Sequence, residues 1–245
     1  SLISGASFAK GLSLALNIPI IGINHLEAHI FANILSDPKL NFPFVCLLVS
    51  GGHTQLWYVK GLSKYKLLGE TRDDAAGEAF DKGAKILGLG YPGGLKIDQI
   101  SKNGNSNFHK FPIANLGKDS LNFSFSGLKT SLKYFIEKNN NWIKNRESIA
   151  ASYQEAIVDS LIEKIFLANK IYKTSSILIC GGVACNSRLR NKVAEKFGNN
   201  SKIIIPSLEF CTDNAAMIAM RGLQLRNSDS YEKGFGVFSS IEKLV

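Results

Sequence analysis

The segment from Ser176 to Phe197 constrains the fold more than any other part of the sequence. Ser176 to Cys180 is a short apolar run typical of a buried strand, and Gly181-Gly182 follows it directly as a turn. A helix is expected after Asn186, ending at about Phe197. In α/β proteins, a strand, a glycine turn and a helix in this order form a common binding place for a nucleotide. The segment therefore predicts an α/β fold with a nucleotide-binding turn.

Other segments supply further strands, helices and loops. The predicted strands are Ile18 to Ile23, Phe44 to Ser50, Gln55 to Val59, Tyr65 to Glu70 and Lys202 to Ile205. The predicted helices cover residues 3–16, 25–35, 75–87, 123–138, 147–172 and 215–225, and a glycine-rich loop over residues 88–94 precedes a short helix that carries Asp98. The polar residues 101–122 are expected to form an inserted or connecting segment.

Length and hydropathy exclude several protein classes. The 245 residues allow one large domain or two ordinary ones, and an apolar content of 45% is ample for a core. No run of about 18 apolar residues occurs, and the first residues do not form a secretory signal, so we expect a cytoplasmic protein without a membrane span. The first residue is Ser rather than Met and opens into a predicted helix, which is consistent with a chain that lacks its natural N-terminal segment.

Charge and cysteine content leave the partner open. A net charge of +9 suits a polyanionic partner such as RNA, but a general enrichment in lysine, asparagine and isoleucine produces the same number. The four cysteines form no C-x-x-C pair, and three of them lie in or beside apolar runs. Reduced thiols, mostly buried, are therefore expected.

A pair of histidines near the N-terminus has the spacing of metal ligands. Asn24 occupies an N-cap position, so His25 and His29 fall in the first two turns of a helix, where residues four apart share a face. Packing on the surface or in the core is the alternative for such a pair. Glu27 lies two residues from each histidine and so points roughly 200° away from both, which argues against the H-E-x-x-H arrangement of zinc peptidases.

Three further features each allow a structural and a functional interpretation. The tip Ser50 to Thr54 is either a plain hairpin turn or a nest of backbone N–H groups that binds an anion. Asp81 is either a ligand or a solvated partner of Lys85, four residues later on the same helix. Asp213 is accounted for as an acid at the N-cap of the last helix.

Seven motifs, in order from residue 24 to residue 219, together resemble one family. They are N-H-L-E-A-H, L-V-S-G-G-H-T-Q-L, D-D-A-A-G-E-A-F-D-K, G-L-x-Y-P-G-G, F-S-F-S-G-L-K-T, C-G-G-V-A-C-N-S-x-L-R and C-T-D-N-A-A-M-I-A. This set resembles the TsaD family of tRNA N6-adenosine threonylcarbamoyltransferases, once labelled O-sialoglycoprotein endopeptidases. The resemblance implies the actin-like, two-lobed α/β fold of sugar kinases and heat-shock ATPases. It also implies transfer of threonylcarbamoyl from threonylcarbamoyl-adenylate to N6 of the adenosine beside the anticodon (A37), in tRNAs that read codons beginning with A, with release of AMP.

The same resemblance implies roles for individual residues. His25, His29 and Asp213 match the family's metal ligands, for which Fe²⁺ or Zn²⁺ is suitable. His53 is the nearest candidate for a general base. The residues that match substrate-binding positions are Leu48, Val49, Ser50, Gly51, Gly52, Asp81, Gly94, Asp98 and Asn186.

The resemblance also implies partners and a division into lobes. We expect tRNA, a TsaB-like heterodimer mate and a TsaE-like ATPase as partners, with a TsaC-type enzyme making the adenylate. Residues 1–100 would form a first lobe that lacks its N-terminal strands, and residues 101–245 would form a second lobe. In an alternative division, the C-terminal helix belongs to the first lobe. The alternatives are a non-catalytic scaffold of the same fold, a metallopeptidase, and an ATPase or sugar kinase of this fold.

Overall fold

A five-stranded sheet with helices on both faces forms the framework of the protein. The computed structural model describes residues 2–198 and 201–226. The strands are β1 (Phe44–Val49), β2 (Thr54–Gly61), β3 (Lys64–Glu70), β4 (Ser176–Cys180) and β5 (Lys202–Ile204). The helices are α1 (Leu2–Leu16), α2 (His25–Phe31), α3 (Asn33–Ser36), α4 (Ala76–Ile86), α5 (Gly93–Ser101), α6 (Ser126–Lys138), α7 (Arg146–Tyr172), α8 (Ser187–Phe197), α9 (Leu208–Cys211) and α10 (Ala215–Leu225).

The strand order in the sheet is β3-β2-β1-β4-β5. The first three strands form an antiparallel meander, whereas β4 runs parallel to both β1 and β5. Every residue of β1 and of β4 is buried, as expected for strands that are covered on both faces. The pattern of apolar runs thus predicted the central strands correctly, and the α/β class is confirmed.

This sheet crosses the boundary that the sequence analysis placed near residue 100. Strands β1 to β3 precede that residue and β4 and β5 follow it, yet β1 and β4 are paired neighbours at the centre of the sheet. The predicted lobes of residues 1–100 and 101–245 therefore do not coincide with the sheet, because parallel pairing joins strands that lie far apart in sequence. Residues 227–245 lie outside the described part of the chain.

Alternate residues of β1 face two different cores, since successive side chains of a strand point to opposite faces. Val45 and Leu47 belong to the larger core, which includes buried residues of α4 and α7. Cys46 and Leu48 belong to a smaller core, which is covered by α2. Helix α2 is therefore fixed against the sheet by apolar packing.

The N-terminal part of the chain differs from the prediction in two ways. The run Ile18 to Ile23 does not form a strand, and among the described residues no strand pairs with it. An extended apolar run becomes a strand only when a neighbouring strand satisfies its backbone groups. The helix predicted after Asn24 forms, but it divides into α2 and the single turn α3.

The cysteines are free thiols, as expected for a chain without paired motifs. Cys46 and Cys180 lie on neighbouring strands with their Sγ atoms 3.7 Å apart, and complete burial raises the pKa of the Cys180 thiol. Cys185 is the exception to burial, since it is partly exposed. Across residues 2–198 and 201–226, none of the helices has the length and apolar character required to span a bilayer.

Candidate functional site

The two histidines of α2 lie on one face of a well-capped helix. The Asn24 side chain accepts hydrogen bonds from the backbone N–H groups of Leu26 (2.9 Å) and Glu27 (3.2 Å), which fixes the start of the helix. The ring centroids of His25 and His29 are 4.8 Å apart. The His25 side chain is half exposed, whereas that of His29 is 4% exposed. Both rings therefore meet at the edge of the core with access to solvent from one side.

Asp213 joins the histidines from the segment between α9 and α10. Its Oδ1 atom lies 3.2 Å from Nε2 of His25 and 3.0 Å from Nε2 of His29. The N-cap of α10 is Asn214, whose side chain accepts from the Met217 N–H at 2.9 Å, so Asp213 has no capping duty. The structural explanation of Asp213 is therefore wrong, and its carboxylate is available to the histidines.

The geometry of these three side chains fits a divalent cation. Their ligand atoms all lie within 4.8 Å of one another. Ligands about 2 Å from one tetrahedral ion are about 3.3 Å apart, close to both histidine–Asp213 distances. Burial lowers the pKa of His29, against the opposing effect of its hydrogen bond to Asp213, and so favours the neutral imidazole that binds metals. Two histidines and a carboxylate suit Zn²⁺ or Fe²⁺.

Glu27 faces away from the triad of His25, His29 and Asp213. Its carboxylate accepts hydrogen bonds from the Arg221 guanidinium and the Tyr65 hydroxyl. It is therefore not placed to act as a base over a bound metal, which confirms the angular argument against a zinc peptidase. Burial and the contact with Glu27 raise the pKa of Tyr65.

Sequence reasoning missed Arg221, a residue of α10 that is 1% exposed. A signal was present, because Arg221 is the one charged residue in the helix sequence Ala-Ala-Met-Ile-Ala-Met-Arg-Gly-Leu-Gln-Leu. A charge in an apolar helix face requires a buried partner. That partner cannot be identified from local spacing, since Glu27 is 194 residues away.

The hairpin tip between β1 and β2 is held by its own polar groups. The Ser50 N–H donates to the His53 carbonyl (2.8 Å), and the Ser50 hydroxyl accepts from the His53 N–H (3.1 Å). Gly51 and Gly52 are exposed, and neither has a left-handed φ. Neither glycine therefore provides the left-handed residue of a nest whose backbone alternates between right- and left-handed conformations. Added Cβ atoms at either glycine would meet nothing within 4 Å, so a ligand can approach the backbone.

His53 lies close enough to the metal-ligand candidates to sense their charge. Burial lowers the pKa of His53, and the neighbouring His25 lowers it further. A neutral imidazole at neutral pH is the form that accepts a proton.

Two glycines hold the end of β1 in place. Gly181, which follows β4, has φ +93°, and a Cβ there would lie 2.4 Å from the Val49 carbonyl oxygen. Gly77 of α4 donates its N–H to the Ser50 carbonyl at 3.2 Å, and a Cβ would lie 2.6 Å from that oxygen. The hairpin tip and the glycine turn thus meet at the carboxyl ends of the parallel strands, where α/β sheets bind ligands.

The other predicted substrate residues form hydrogen bonds within the chain. Asp81 accepts from the Gly93 N–H at 2.8 Å, which fixes the start of α5 beside Gly94. This contact replaces the proposed partnership with Lys85. Asp98, which is 8% exposed, accepts from the backbone N–H (3.2 Å) and the hydroxyl (2.8 Å) of Ser187.

Asn186 completes this second group. Its side chain accepts from the Leu189 N–H at 2.9 Å as the N-cap of α8 and donates to Gln154 of α7 at 2.7 Å. The structure therefore brings two groups of predicted site residues together, whereas the side chains of Leu48 and Val49 are buried in the cores. One group is His25, His29 and Asp213 beside His53, and the other is Asp98 and Asn186 at the start of α8.

Solved structures with the same fold define the class of protein. The chain is similar to a full-length HypF in its phosphate- and nucleotide-bound form (TM-score 0.69, 12% identity, 91% of this chain and 46% of that one). It is also similar to HypF of T. kodakarensis (TM-score 0.67, 14% identity, 89% of this chain and 39% of that one). At these identities the likeness concerns the fold alone, which is the α/β, actin-like class that the sequence predicted.

Sequence comparison then identifies the family. The model of the family described as TsaD, tRNA N6-adenosine threonylcarbamoyltransferase, matches residues 1–220. A tRNA N6-adenosine threonylcarbamoyltransferase of Thermosipho africanus is 51% identical over 244 residues, which cover 99% of this chain and 72% of the relative. That of Kosmotoga olearia is 50% identical over 246 residues, covering 99% of this chain and 71% of the relative. The chain belongs to this family, as its seven motifs predicted.

Proposed function

We propose that this protein transfers the threonylcarbamoyl group of threonylcarbamoyl-adenylate to N6 of A37, the adenosine beside the anticodon, in tRNAs that read codons beginning with A. AMP is the leaving group. The observation that carries the proposal is the convergence of His25, His29 and Asp213 within 4.8 Å, in a chain that matches the transferase family over residues 1–220.

The three side chains of this triad would hold Fe²⁺ or Zn²⁺. A metal held there would be a Lewis acid able to polarise the carbamoyl carbonyl or to orient the phosphate of the donor. The protein contributes a preformed donor set, because α2 is capped by Asn24 and His29 is buried. His25 and Asp213 are more exposed, at 50% and 77%, so substrate approaches the triad from their side.

The adenylate is held at the carboxyl ends of β1 and β4. The exposed Gly51 and Gly52 allow close approach to backbone N–H groups, which stabilise negative charge on the departing phosphate. Asp81 and Asp98 hold the start of α5 and of α8 with some of their hydrogen-bonding capacity, and the remaining capacity of the half-exposed Asp81 accepts from a nucleotide hydroxyl. The proposed site thus combines a rigid backbone with few charged contacts.

The acyl transfer requires one proton to leave the attacking amine. The N6 nitrogen forms a bond to the carbamoyl carbon, and the bond from that carbon to the phosphate oxygen of AMP breaks. The proton passes to a base, for which neutral His53 is the candidate, because its lowered pKa keeps it unprotonated at neutral pH. AMP leaves with the electron pair of the broken bond.

The charge and the family support the proposed partners. The excess of 29 basic over 20 acidic residues favours a polyanion such as tRNA. On the family resemblance, we include a TsaB-like heterodimer mate and a TsaE-like ATPase among the partners. A scaffold without catalysis is not favoured, because it has no need for the triad.

The decisive experiment is mass analysis of tRNA nucleosides. The protein is incubated with tRNA, threonine, bicarbonate, ATP, divalent metal and the companion proteins, and threonylcarbamoyladenosine is quantified. We expect product with the parent protein and loss of it with His25→Ala. His109→Ala is a matched control, since His109 packs on Phe111 and Phe135 away from the triad. Undiminished product with His25→Ala contradicts the metal step, and the absence of product with the parent protein contradicts the proposed activity.

A further inference from the structure

The buried ion pair between Glu27 and Arg221 joins the two helices that bring the metal ligands together. We propose that Glu27 and Arg221 are positioning residues, which hold α2 and α10 in the register at which His25, His29 and Asp213 meet. This inference rests on the metal site of the proposed function. It concerns two residues that are placed behind the metal ligands and do not coordinate the metal themselves.

The position of Glu27 on α2 couples it to both histidines. It lies two residues after His25 and two before His29, so its side chain points away from the face that carries the rings. A helix moves as a rigid unit over two turns. Any rotation of α2 that displaces the Glu27 carboxylate therefore displaces both imidazoles, and anchoring that carboxylate fixes both rings.

Arg221 anchors the carboxylate from α10. Its Nη2 atom donates to Glu27, to the Leu62 carbonyl oxygen at 2.5 Å and to the Tyr65 hydroxyl at 2.9 Å. The guanidinium also lies over the Phe31 ring, 4.4 Å from its centroid. Tyr65 of β3 in turn donates to Glu27, so the pair is held on the sheet side by β3 and, through Leu62, by the β2–β3 turn. This arrangement fixes α10, α2 and the sheet relative to one another.

The remaining contact between α2 and α10 does little to fix their relative orientation. Its apolar part is a cluster of Ala28 of α2 and Ala32, the residue that caps the end of α2, against Met217 of α10, with Ile23 and Ile218 at its edge. Small apolar side chains allow close approach of two helices, but they tolerate sliding and rotation more readily than hydrogen-bonded groups do. The ion pair is therefore the part of the interface that fixes the relative orientation of the two helices. Asp213 lies two residues before the start of α10, the helix that carries Arg221.

A second interhelical Arg–Glu pair, which is more exposed (30% for Arg188 and 16% for Glu155), provides a control. Arg188 of α8 donates to Glu155 of α7 through Nε (2.7 Å) and Nη2 (2.9 Å). This pair joins helices that carry no metal-ligand candidate. If Glu27 and Arg221 served stability alone, the two pairs would be equivalent with respect to metal binding.

The test measures Co²⁺ binding by the full chain, by competition with a chromogenic chelator and by the visible absorption of bound Co²⁺. Unfolding curves are recorded for every variant. Glu27→Gln and Arg221→Met are compared with the control variants Glu155→Gln and Arg188→Met. We expect the first two to weaken Co²⁺ binding by about 10- to 100-fold, the range seen when groups behind metal ligands are removed, and to change the absorption spectrum. We expect the controls to lose stability but to bind Co²⁺ within about twofold of the parent.

A double variant separates positioning from the cost of a lone buried charge. Glu27→Leu combined with Arg221→Met leaves no unpaired charge, a change that is often neutral or favourable for stability. Should the single variants unfold, this variant decides: weakened Co²⁺ binding in a folded double variant supports the proposal, and parent-like binding or failure of the double variant to fold overturns it.

Other outcomes contradict the proposal or its basis separately. Parent-like Co²⁺ binding by folded Glu27→Gln and Arg221→Met overturns the positioning role, as does equal weakening in the control pair. If instead the parent chain binds no Co²⁺, or His25→Ala binds it as the parent does, the metal site itself is wrong.

Discussion

The α2–α10 interface and the β4–α8 junction both contain polar residues that match site positions of the family, but these residues make different contacts in the two regions. At the interface, His25, His29 and Asp213 turn their ligand atoms toward one another. The Nδ1 atom of His29 is buried and has no hydrogen-bond partner among the residues that the structure describes. At the junction, Asp98 and Asn186 already bond to backbone groups.

At the α2–α10 interface the polar side chains are therefore available to a ligand, whereas at the β4–α8 junction they fix the backbone conformation. A polar group that bonds to its own chain contributes to the free energy of unfolding, and its loss leaves a donor unsatisfied. The ligand atoms of the triad instead contact one another, through the hydrogen bond between His29 and Asp213, and a bound cation would replace that contact. We therefore expect substitutions at the interface to change metal binding and substitutions at the junction to change stability.

The largest effect is expected for Gly181→Ala, at the junction. The φ of +93° and the 2.4 Å approach of a Cβ to the Val49 carbonyl oxygen oppose any side chain. We expect the free energy of unfolding to fall by about 3–5 kcal/mol in urea titrations. Gly182→Ala is the matched control, since a Cβ there meets nothing within 4 Å. Similar stability of the two variants would contradict the close packing of this turn.

The next effect is expected at the interface. Asp213→Asn keeps the shape of the side chain but removes its charge, and we expect Co²⁺ binding to weaken by more than about 100-fold, because a direct ligand matters more than the groups behind it. The Asp213 side chain is 77% exposed, so the metal-free variant should unfold within about 0.5 kcal/mol of the parent. A metal-free variant that is markedly unstable would assign Asp213 a structural role.

The same substitution at the junction should have the opposite result. Asp98→Asn weakens the bonds to the backbone N–H and hydroxyl of Ser187, and we expect a loss of about 1–3 kcal/mol in the free energy of unfolding. Co²⁺ affinity should stay within about twofold of the parent. Equal behaviour of Asp98→Asn and Asp213→Asn in both measurements would abolish the distinction between the two regions.

The smallest effect is a difference in pH dependence. Burial lowers the pKa of His29 and His53 below the ordinary value of 6.5. Below that value the unfolded chain binds protons that the folded chain does not, so stability falls as pH decreases from 6.5 and is complete above it. Between pH 7.5 and 5.5, we expect the free energy of unfolding to fall less for His53→Gln than for the parent.

Near the β4–α8 junction, stability depends on pH in a lower range. Burial alone would raise the pKa of Glu155, but hydrogen bonds from Arg188 and Lys192 outweigh it and hold the pKa below its ordinary value of 4.5. The folded carboxylate therefore contributes stability that is present above pH 4.5 and is lost as pH falls below it. Glu155→Gln should leave the slope between pH 7.5 and 5.5 unchanged, and a change in that slope would contradict this assignment.

The local parts of the fold were predictable because their signals are local. The buried runs of β1 and β4, the hairpin turn and the long helix α7 each lie within one continuous stretch. The lobe boundary was not predictable in this way, since Cys46 and Cys180 of the paired strands are 134 residues apart. The apolar run from Ile18 to Ile23 shows the same limit, because hydrophobicity does not reveal whether a neighbouring strand exists.

The site shows a similar division. Helical spacing identified His25 and His29 as possible metal ligands, whereas only the family resemblance linked Asp213 to them. Only the structure reveals that Asp81 and Asp98 accept hydrogen bonds from backbone N–H groups, because the donors lie 12 and 89 residues away in the sequence. Arg221 was missed for the same reason, although its place in an apolar helix was visible.

The distance along the chain between the triad's members has a consequence for how the protein is made. His29 and Asp213 are separated by 184 residues, and all five strands of the described sheet end by Ile204, so a ribosome completes these strands before it adds Asp213. Until α10 has emerged and docked, a nascent chain offers a metal only the two histidines. A metal that requires all three side chains would therefore bind only after the strands of the sheet have been made.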